Sequence, residues 1–244
     1  MEKSVEAAGL IKKFNGFTVL DGMNLSVEQG QLYALIGPSG SGKTTFLRIL
    51  CGFIRPDAGK IQVLGWRIPS FRVQSQLGYM PQETALYPDL TIMQNLEFFG
   101  ELYDLPHDQV RERADALLHL VQLEKFKNQS VATLSGGMKR RVSLVVSMIH
   151  KPRLIVLDEP TVGIDPRLRI ALWQYFRVLT QQNISLLVTT HHMDEASRCH
   201  KIGLLSRGRL IAEGAPDALL KESGTSSFEE AFTALEDRAK EVSV

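Results

Sequence analysis

The sequence predicts an α/β fold: a mostly parallel sheet with helices on both faces, an antiparallel β part near the N-terminus and a helical insertion between two core strands. Three observations predict it. The apolar run Leu32-Tyr33-Ala34-Leu35-Ile36 leads through a glycine-rich turn into Thr45-Phe46-Leu47-Arg48-Ile49-Leu50, which has helical spacing. From Thr91 to about Leu123 the apolar period is helical throughout. After Ser135 strand and helix alternate again.

Val5 to Ile11 and Asn24 to Val27 are strand candidates ahead of Leu32 to Ile36, and Ile61 to Leu64 follows the first helix, after a turn at Asp57-Ala58-Gly59. In the insertion, Ile92, Leu96 and Phe99 share one helical face and Ala114, Leu117, Leu118 and Val121 another, with Pro106-His107-Asp108 separating the two helices. Leu134-Ser135-Gly136-Gly137-Met138 opens a helical run from Lys139 to Ile149. Strand Leu154 to Leu157, helix Arg167 to Thr180 and strand Ile184 to Thr189 follow, and Phe228 to Leu235 reads as a short amphipathic helix. The expected organisation is one domain over 1–216, with a helical subdomain at about 83–150, and a short helical tail over 217–244.

The 244 residues suffice for one large α/β domain. A net charge of +1 argues against a nucleic-acid partner, which would need a basic face. Cys51 and Cys199 are too few for a disulfide framework and are not spaced as metal ligands, so two reduced cysteines are expected. Met1-Glu2-Lys3-Ser4-Val5 lacks the apolar core of a signal peptide. Apolar stretches such as Leu144 to Ile149 fall far short of the ~20 residues that span a bilayer. Work at a membrane would go through a partner.

Gly37-Pro38-Ser39-Gly40-Ser41-Gly42-Lys43-Thr44 fits the phosphate-loop pattern G-x-x-x-x-G-K-[ST] without a mismatch, between a strand and a helix as that pattern requires. Its glycines let backbone N–H groups converge on phosphate oxygens, the helix N-terminus adds partial positive charge, Lys43 adds a full one, and the Thr44 hydroxyl is a ligand for Mg²⁺. Leu154-Ile155-Val156-Leu157-Asp158-Glu159 delivers two carboxylates at the C-terminal end of a buried strand, the edge where ligands of parallel sheets bind. Asp158 would reach the Mg²⁺ shell opposite Thr44, and Glu159 would polarise a water in line with the γ-phosphate. Ser135 is an ordinary helix N-cap residue, but two glycines in a first turn cost roughly 1 kcal/mol each relative to alanine. A helix tolerates that where something approaches its backbone closely. Two anion-binding helix starts with one Lys-Thr pair and one Asp-Glu pair suggest a composite site, in which Ser135, Gly136 and Gly137 serve the γ-phosphate held by another subunit.

Gly37 to Thr44, Gln82, Leu134 to Gly137, Asp158-Glu159, Gly163-Ile164-Asp165 and His191, in that order, resemble the nucleotide-binding subunit of an ATP-binding cassette (ABC) transporter. The resemblance runs from about Val5 to Pro216. It implies a P-loop NTPase core with a helical signature subdomain. It also implies a head-to-tail dimer, either a homodimer or a heterodimer with a paralogous subunit, holding two ATP and Mg²⁺ between phosphate loop and signature. The nucleotide cradle then extends to Thr45. Gln82 matches the glutamine that contacts Mg²⁺ and the attacking water, His191 the switch histidine at the γ-phosphate, and Phe14, five residues before the nucleotide-binding Val19, the aromatic that stacks on adenine. Asp165 would help to organise the catalytic water and the facing subunit. The partner implied is an integral membrane permease, its contact in Glu83 to Leu90 with Leu86 and Tyr87 at an exposed groove edge, and the place a peripheral one on the cytoplasmic face of the cell membrane.

Met138 stands where many members carry glutamine, Val162-Gly163-Ile164 replaces the commoner Ser-Ala-Leu, and Asn128-Gln129-Ser130-Val131 lacks the acidic stretch of fused exporters. With Met138-Lys139-Arg140-Arg141-Val142, these features look most like the type-two branch, which exports drugs, polysaccharides or lipids. An importer subunit, a soluble non-transport ABC ATPase and a phosphotransferase built on the phosphate loop are the alternatives. Soluble ABC ATPases typically carry a coiled-coil insertion or tandem cassettes, which this chain lacks, and a phosphotransferase would not need Ser135-Gly136-Gly137.

Overall fold

The computed structural model describes residues 2–241; Met1 and the last three residues of the expected tail lie outside them. The chain opens with a long hairpin of Lys3–Phe14 (β1) and Phe17–Glu28 (β2). Asn15 (φ 48°) and Gly16 (φ 86°) form its two-residue turn, with the positive angles that match strand twist. Leu32–Ile36 (β3) is buried at every residue and runs through the glycine loop into Lys43–Leu50 (α1). Ala58–Val63 (β4), Trp66–Arg67 (β5), Phe71–Gln74 (α2) and Leu77–Met80 (β6) follow. The insertion holds Ile92–Glu101 (α3), closed by a reciprocal Thr91–Gln94 capping box, His107–Leu120 (α4) and Gly136–Met148 (α5), capped by Ser135. Leu154–Asp158 (β7), Pro166–Gln181 (α6), Ser185–Thr190 (β8), Lys201–Ser206 (β9), Arg209–Gly214 (β10), Pro216–Ser223 (α7) and Phe228–Glu241 (α8) complete the described chain.

Two sheets result. An antiparallel one has the order β2-β1-β4-β5, and a six-stranded one the order β10-β9-β3-β8-β7-β6, parallel except for its edge strand β10. The expected α/β architecture is therefore present. Because strand side chains alternate, the parallel sheet divides its residues between two cores. Leu32, Ala34, Ile36, Ile155, Leu157, Leu186 and Val188 face the helical insertion and α6. Tyr33, Leu35, Leu154, Val156 and Leu187 face α1 and the antiparallel sheet. The helical and β parts thus cover opposite faces, and the loops that follow β3, β7 and β8 leave the sheet at its carboxyl edge.

Several local expectations change. Ala58 and Gly59 belong to β4 rather than to a turn, because Gly59 lies so close to β1 that a Cβ there would sit 2.4 Å from the Gly9 carbonyl. Of the three expected residues, only Pro106 lies in the break between α3 and α4; His107 and Asp108 already belong to α4. Leu86 packs on the core, while Tyr87 is 46% exposed. The expected tail is two helices, and α8 buries Phe228, Ala231 and Leu235, two of them in the core it shares with the insertion. Cys51 and Cys199 are free and buried. No helix among the described residues is long and apolar enough to cross a membrane.

Candidate functional site

Helix α1 starts at Gly42 with no side-chain cap and no acidic residue in its first turn. Its first N–H groups are left for an external acceptor, and the helix dipole favours a negative one. Gly42 lies at φ 110°, and a Cβ there would meet the Val19 carbonyl at 2.9 Å. The Ser41 hydroxyl is buried with no hydrogen-bond partner, a polar orphan at the floor of the loop. Lys43 is 6% exposed and folds back to donate to the carbonyls of Gly37 (2.7 Å) and Pro38 (3.0 Å). Burial lowers its pKa, while the carboxylates of Glu159 and Asp158 act to raise it. Such a cation is partnered by loop carbonyls that a phosphate oxygen outcompetes on charge.

Thr44 donates through Oγ1 to Oδ2 of Asp158 at 2.9 Å, and Thr189 donates to the other carboxylate oxygen. Asp158 is fully buried at the end of β7, so these hydroxyls satisfy a carboxylate that would otherwise be costly to bury. A hydroxyl and a carboxylate set on hard oxygen atoms fit Mg²⁺. Gln82 enters differently: its side chain is exposed, and its carbonyl accepts from Arg140 Nη1 at 2.9 Å.

Glu159 is a non-glycine residue at φ 53°. Backbones held there cost ~1–3 kcal/mol and persist where neighbours over-determine them. Its N–H donates to the carbonyl and the hydroxyl oxygen of Thr189, both at 3.1 Å. Its Oε1 lies 3.1 Å from His191 Nδ1. Of the two adjacent histidines, His191 is the one at Glu159; His192 tilts against it with ring centroids 4.2 Å apart.

Phe14 is 44% exposed at the end of β1, with Lys12 Nζ 5.1 Å from its ring centroid. Phe17, 78% exposed across the turn, is a second open ring that the sequence reading did not single out. Val19 is partly buried, and Pro38, Ser39 and Gly40 are exposed on the loop, with Thr45 one residue into α1 beyond Thr44. Ser135 accepts from Met138 N at 3.2 Å as the cap of α5, and nothing lies within 4 Å of a Cβ built on Gly136. No packing inside the chain therefore explains glycine at 136. Gly137 sits nearer its neighbours, 3.1 Å from the Gly163 carbonyl by the same measure. Asp165 caps α6, accepting from Leu168 N at 3.0 Å.

Besides Phe17, two positions to which the sequence gives no site role take part. Arg140 donates to the carbonyls of Gln82, Asp158 and Glu159. Gly208, in the two-residue turn between β9 and β10, donates to the Ser41 carbonyl and accepts from Asp21 N, both at 3.0 Å. A Cβ at Gly208 would meet the Val19 carbonyl at 2.3 Å. The signal for that turn was present, as Arg207-Gly208 between Ile202 to Leu205 and Leu210 to Ala212.

A family model described as ABC transporter matches residues 20–162. The chain is 42% identical over 215 residues to the Nod factor export ATP-binding protein I of Ralstonia nicotianae, covering 87% of this chain and 67% of that one. It spans between 32% and 73% of the length of the curated relatives it matches. Among solved structures, an ATP-binding subunit of an ABC transporter superposes with a TM-score of 0.88 at 29% identity, covering 95% of this chain and 99% of that one. A dimeric ATP-binding cassette in a post-hydrolysis state with ADP and Pi superposes with a TM-score of 0.81 at 25% identity, covering 86% and 98%.

Proposed function

Because the chain belongs to the ABC transporter family of ATP-binding, ATP-hydrolysing subunits, we propose that it drives a separate membrane permease, as a head-to-tail dimer around two ATP, in the direction of export. The observation that carries the reading is the convergence, at the carboxyl ends of β3 and β7, of an uncapped helix start, the Thr44–Asp158 pair and the Glu159–His191 pair. The export direction is supported by the Nod factor relative's name and by Met138 and Gly163 in the sequence.

The phosphates would lie on the N–H groups from Gly37 to Thr45, with Lys43 leaving its loop carbonyls for the β- and γ-phosphate oxygens. Thr44 and Asp158, with Gln82, would hold Mg²⁺, which supplies charge neutralisation at those oxygens. Glu159 accepts a proton from the attacking water, and His191 steadies the carboxylate and faces the γ-phosphate. Phe14 offers its ring to the adenine, with Val19 five residues on lining the same nucleotide. Ser135, Gly136 and Gly137 complete the other subunit's site, and Asp165 lies at the seam. Residues 1–216 are taken as the ATPase domain, with 83–150 as its helical subdomain and 217–244 as an appended tail. Docked on the permease, the subunit sits peripherally on the cytoplasmic face of the membrane.

The test is Mg²⁺-dependent ATP hydrolysis measured against protein concentration. A rate per subunit that rises steeply with concentration and then levels supports the dimeric engine. A rate independent of concentration, or transfer of phosphate to an acceptor, overturns it.

A further inference from the structure

Arg140 is the one side chain described above that joins the helix opened by Ser135 to both catalytic segments. It lies in the second turn of α5, and its guanidinium donates to three main-chain carbonyls on two separate segments, the loop after β6 and the end of β7. Nη1 reaches Gln82 O at 2.9 Å, Nη2 reaches Asp158 O at 2.9 Å and also Glu159 O, and Nε reaches Glu159 O at 3.1 Å. The peptide on either side of Glu159 is thus fixed from opposite directions. Thr189 takes its N–H, and Arg140 takes its C=O. Non-glycine residues seldom hold φ near 53°, so the carbonyl contact bears directly on whether Glu159 keeps its left-handed backbone and hence on where its carboxylate points.

The chemistry selects arginine. Three carbonyls in a fan call for a rigid planar fork of N–H donors, which guanidinium supplies and a single ammonium does not. Burial disfavours the charge while the neighbouring carboxylates of Glu159 and Asp158 favour it, so the cation stays in place without pairing directly to either.

We propose that Arg140 is a positioning residue for hydrolysis: its fork sets the backbone of Glu159 and ties it to Gln82, so that the start of α5 and the water-activating carboxylate move as one body. The proposal rests on Glu159 being the base. A purely packing role for Arg140 predicts loss of stability instead, shared equally by every function of the site.

Arg140→Lys and Arg140→Met, each alone and combined with Glu159→Gln, separate these cases. ATP affinity by equilibrium dialysis and thermal melting accompany single-turnover hydrolysis, so that rates are expressed per ATP bound to folded protein. Misplacing a reacting group by about 1 Å costs about 100-fold. Arg140→Lys is therefore expected to keep ATP affinity within about twofold and to lose about 10- to 100-fold in turnover. Added to Glu159→Gln it should change the residual rate by less than about twofold, because there is no longer a base to misplace. Equal losses in both backgrounds, or wild-type turnover in Arg140→Met, overturn the proposal. Undiminished turnover in Glu159→Gln alone overturns the assignment of the base instead.

Discussion

His191 Nδ1 stands 3.1 Å from Glu159 Oε1, joining the ends of two neighbouring strands through side chains 32 residues apart. The contact holds the carboxylate of Glu159 against the imidazole that follows β8. Glu159→Gln should therefore bind Mg²⁺-ATP normally and hydrolyse it very slowly, since a neutral amide accepts no proton from water. The variant should accumulate as an ATP-bound dimer on gel filtration. Undiminished turnover would place the base elsewhere.

Lys43→Ala removes a buried cation that donates to the carbonyls of Gly37 and Pro38. The expected loss of ATP affinity is ~2–5 kcal/mol, or roughly 30- to several-thousand-fold, read by equilibrium dialysis. Wild-type affinity would show that the phosphates are held without it.

Ser135→Arg should spare ATP binding at the chain's own phosphate loop and abolish hydrolysis. Losing the cap contact to Met138 costs ~1 kcal/mol of stability, so melting is measured alongside. Mixed with Lys43→Ala subunits, the variant should regain some activity, because one site of each mixed dimer inherits neither defect. No recovery in a proven mixed dimer would point to a signature acting in its own chain or to obligatory coupling of the sites.

Tyr87 has its backbone clasped by the buried Asn95, which accepts from Tyr87 N at 2.9 Å and donates to Tyr87 O at 3.0 Å, while its ring leans on Phe98 with centroids 4.6 Å apart and stays half exposed. Tyr87→Ala should leave basal ATPase intact and weaken co-purification with the permease, the result expected of an aromatic at an interface. Loss of basal activity with normal assembly would make it a core residue.

His150 stacks on Tyr103 at 3.7 Å between centroids, and burial, chiefly, lowers its pKa from 6.5 to about 4, with Arg113 adding to the shift and the Leu77 carbonyl opposing it. The unfolded chain then binds a proton that the folded chain refuses. Stability present above about pH 6.5 should fall on the order of 2–3 kcal/mol as pH drops toward about 4. His150→Phe should flatten that slope in urea titrations across the interval. An unchanged slope would assign acid sensitivity to other groups.

What the sequence made legible was local. The phosphate loop is contiguous, β3 and β7 are built on the unbroken apolar runs Leu32 to Ile36 and Leu154 to Leu157, β8 on Leu186 to Val188, and Ser135 and Asp165 sit where caps belong. What stayed hidden depends on distant backbone. Leu77–Met80 has only four residues, with Gly78 wedged against α5, so it carries no period to read. Arg140 looks like any helix-surface arginine until Gln82, Asp158 and Glu159 are brought under it. Gly208 looks like a plain turn glycine until its proximity to Val19 and Ser41 is known.

That turn has a consequence for how the protein is made. Gly208 closes on the Ser41 carbonyl from one side and on β2 from the other, and Arg209 then clamps Asp21 at 2.7 Å. In translation order Asp21 and Ser41 precede Gly208 and Arg209, so the glycine loop is made before the turn that closes on it. The Ser41–Gly208 and Asp21–Arg209 contacts therefore form only after β9 and the start of β10 have been synthesised.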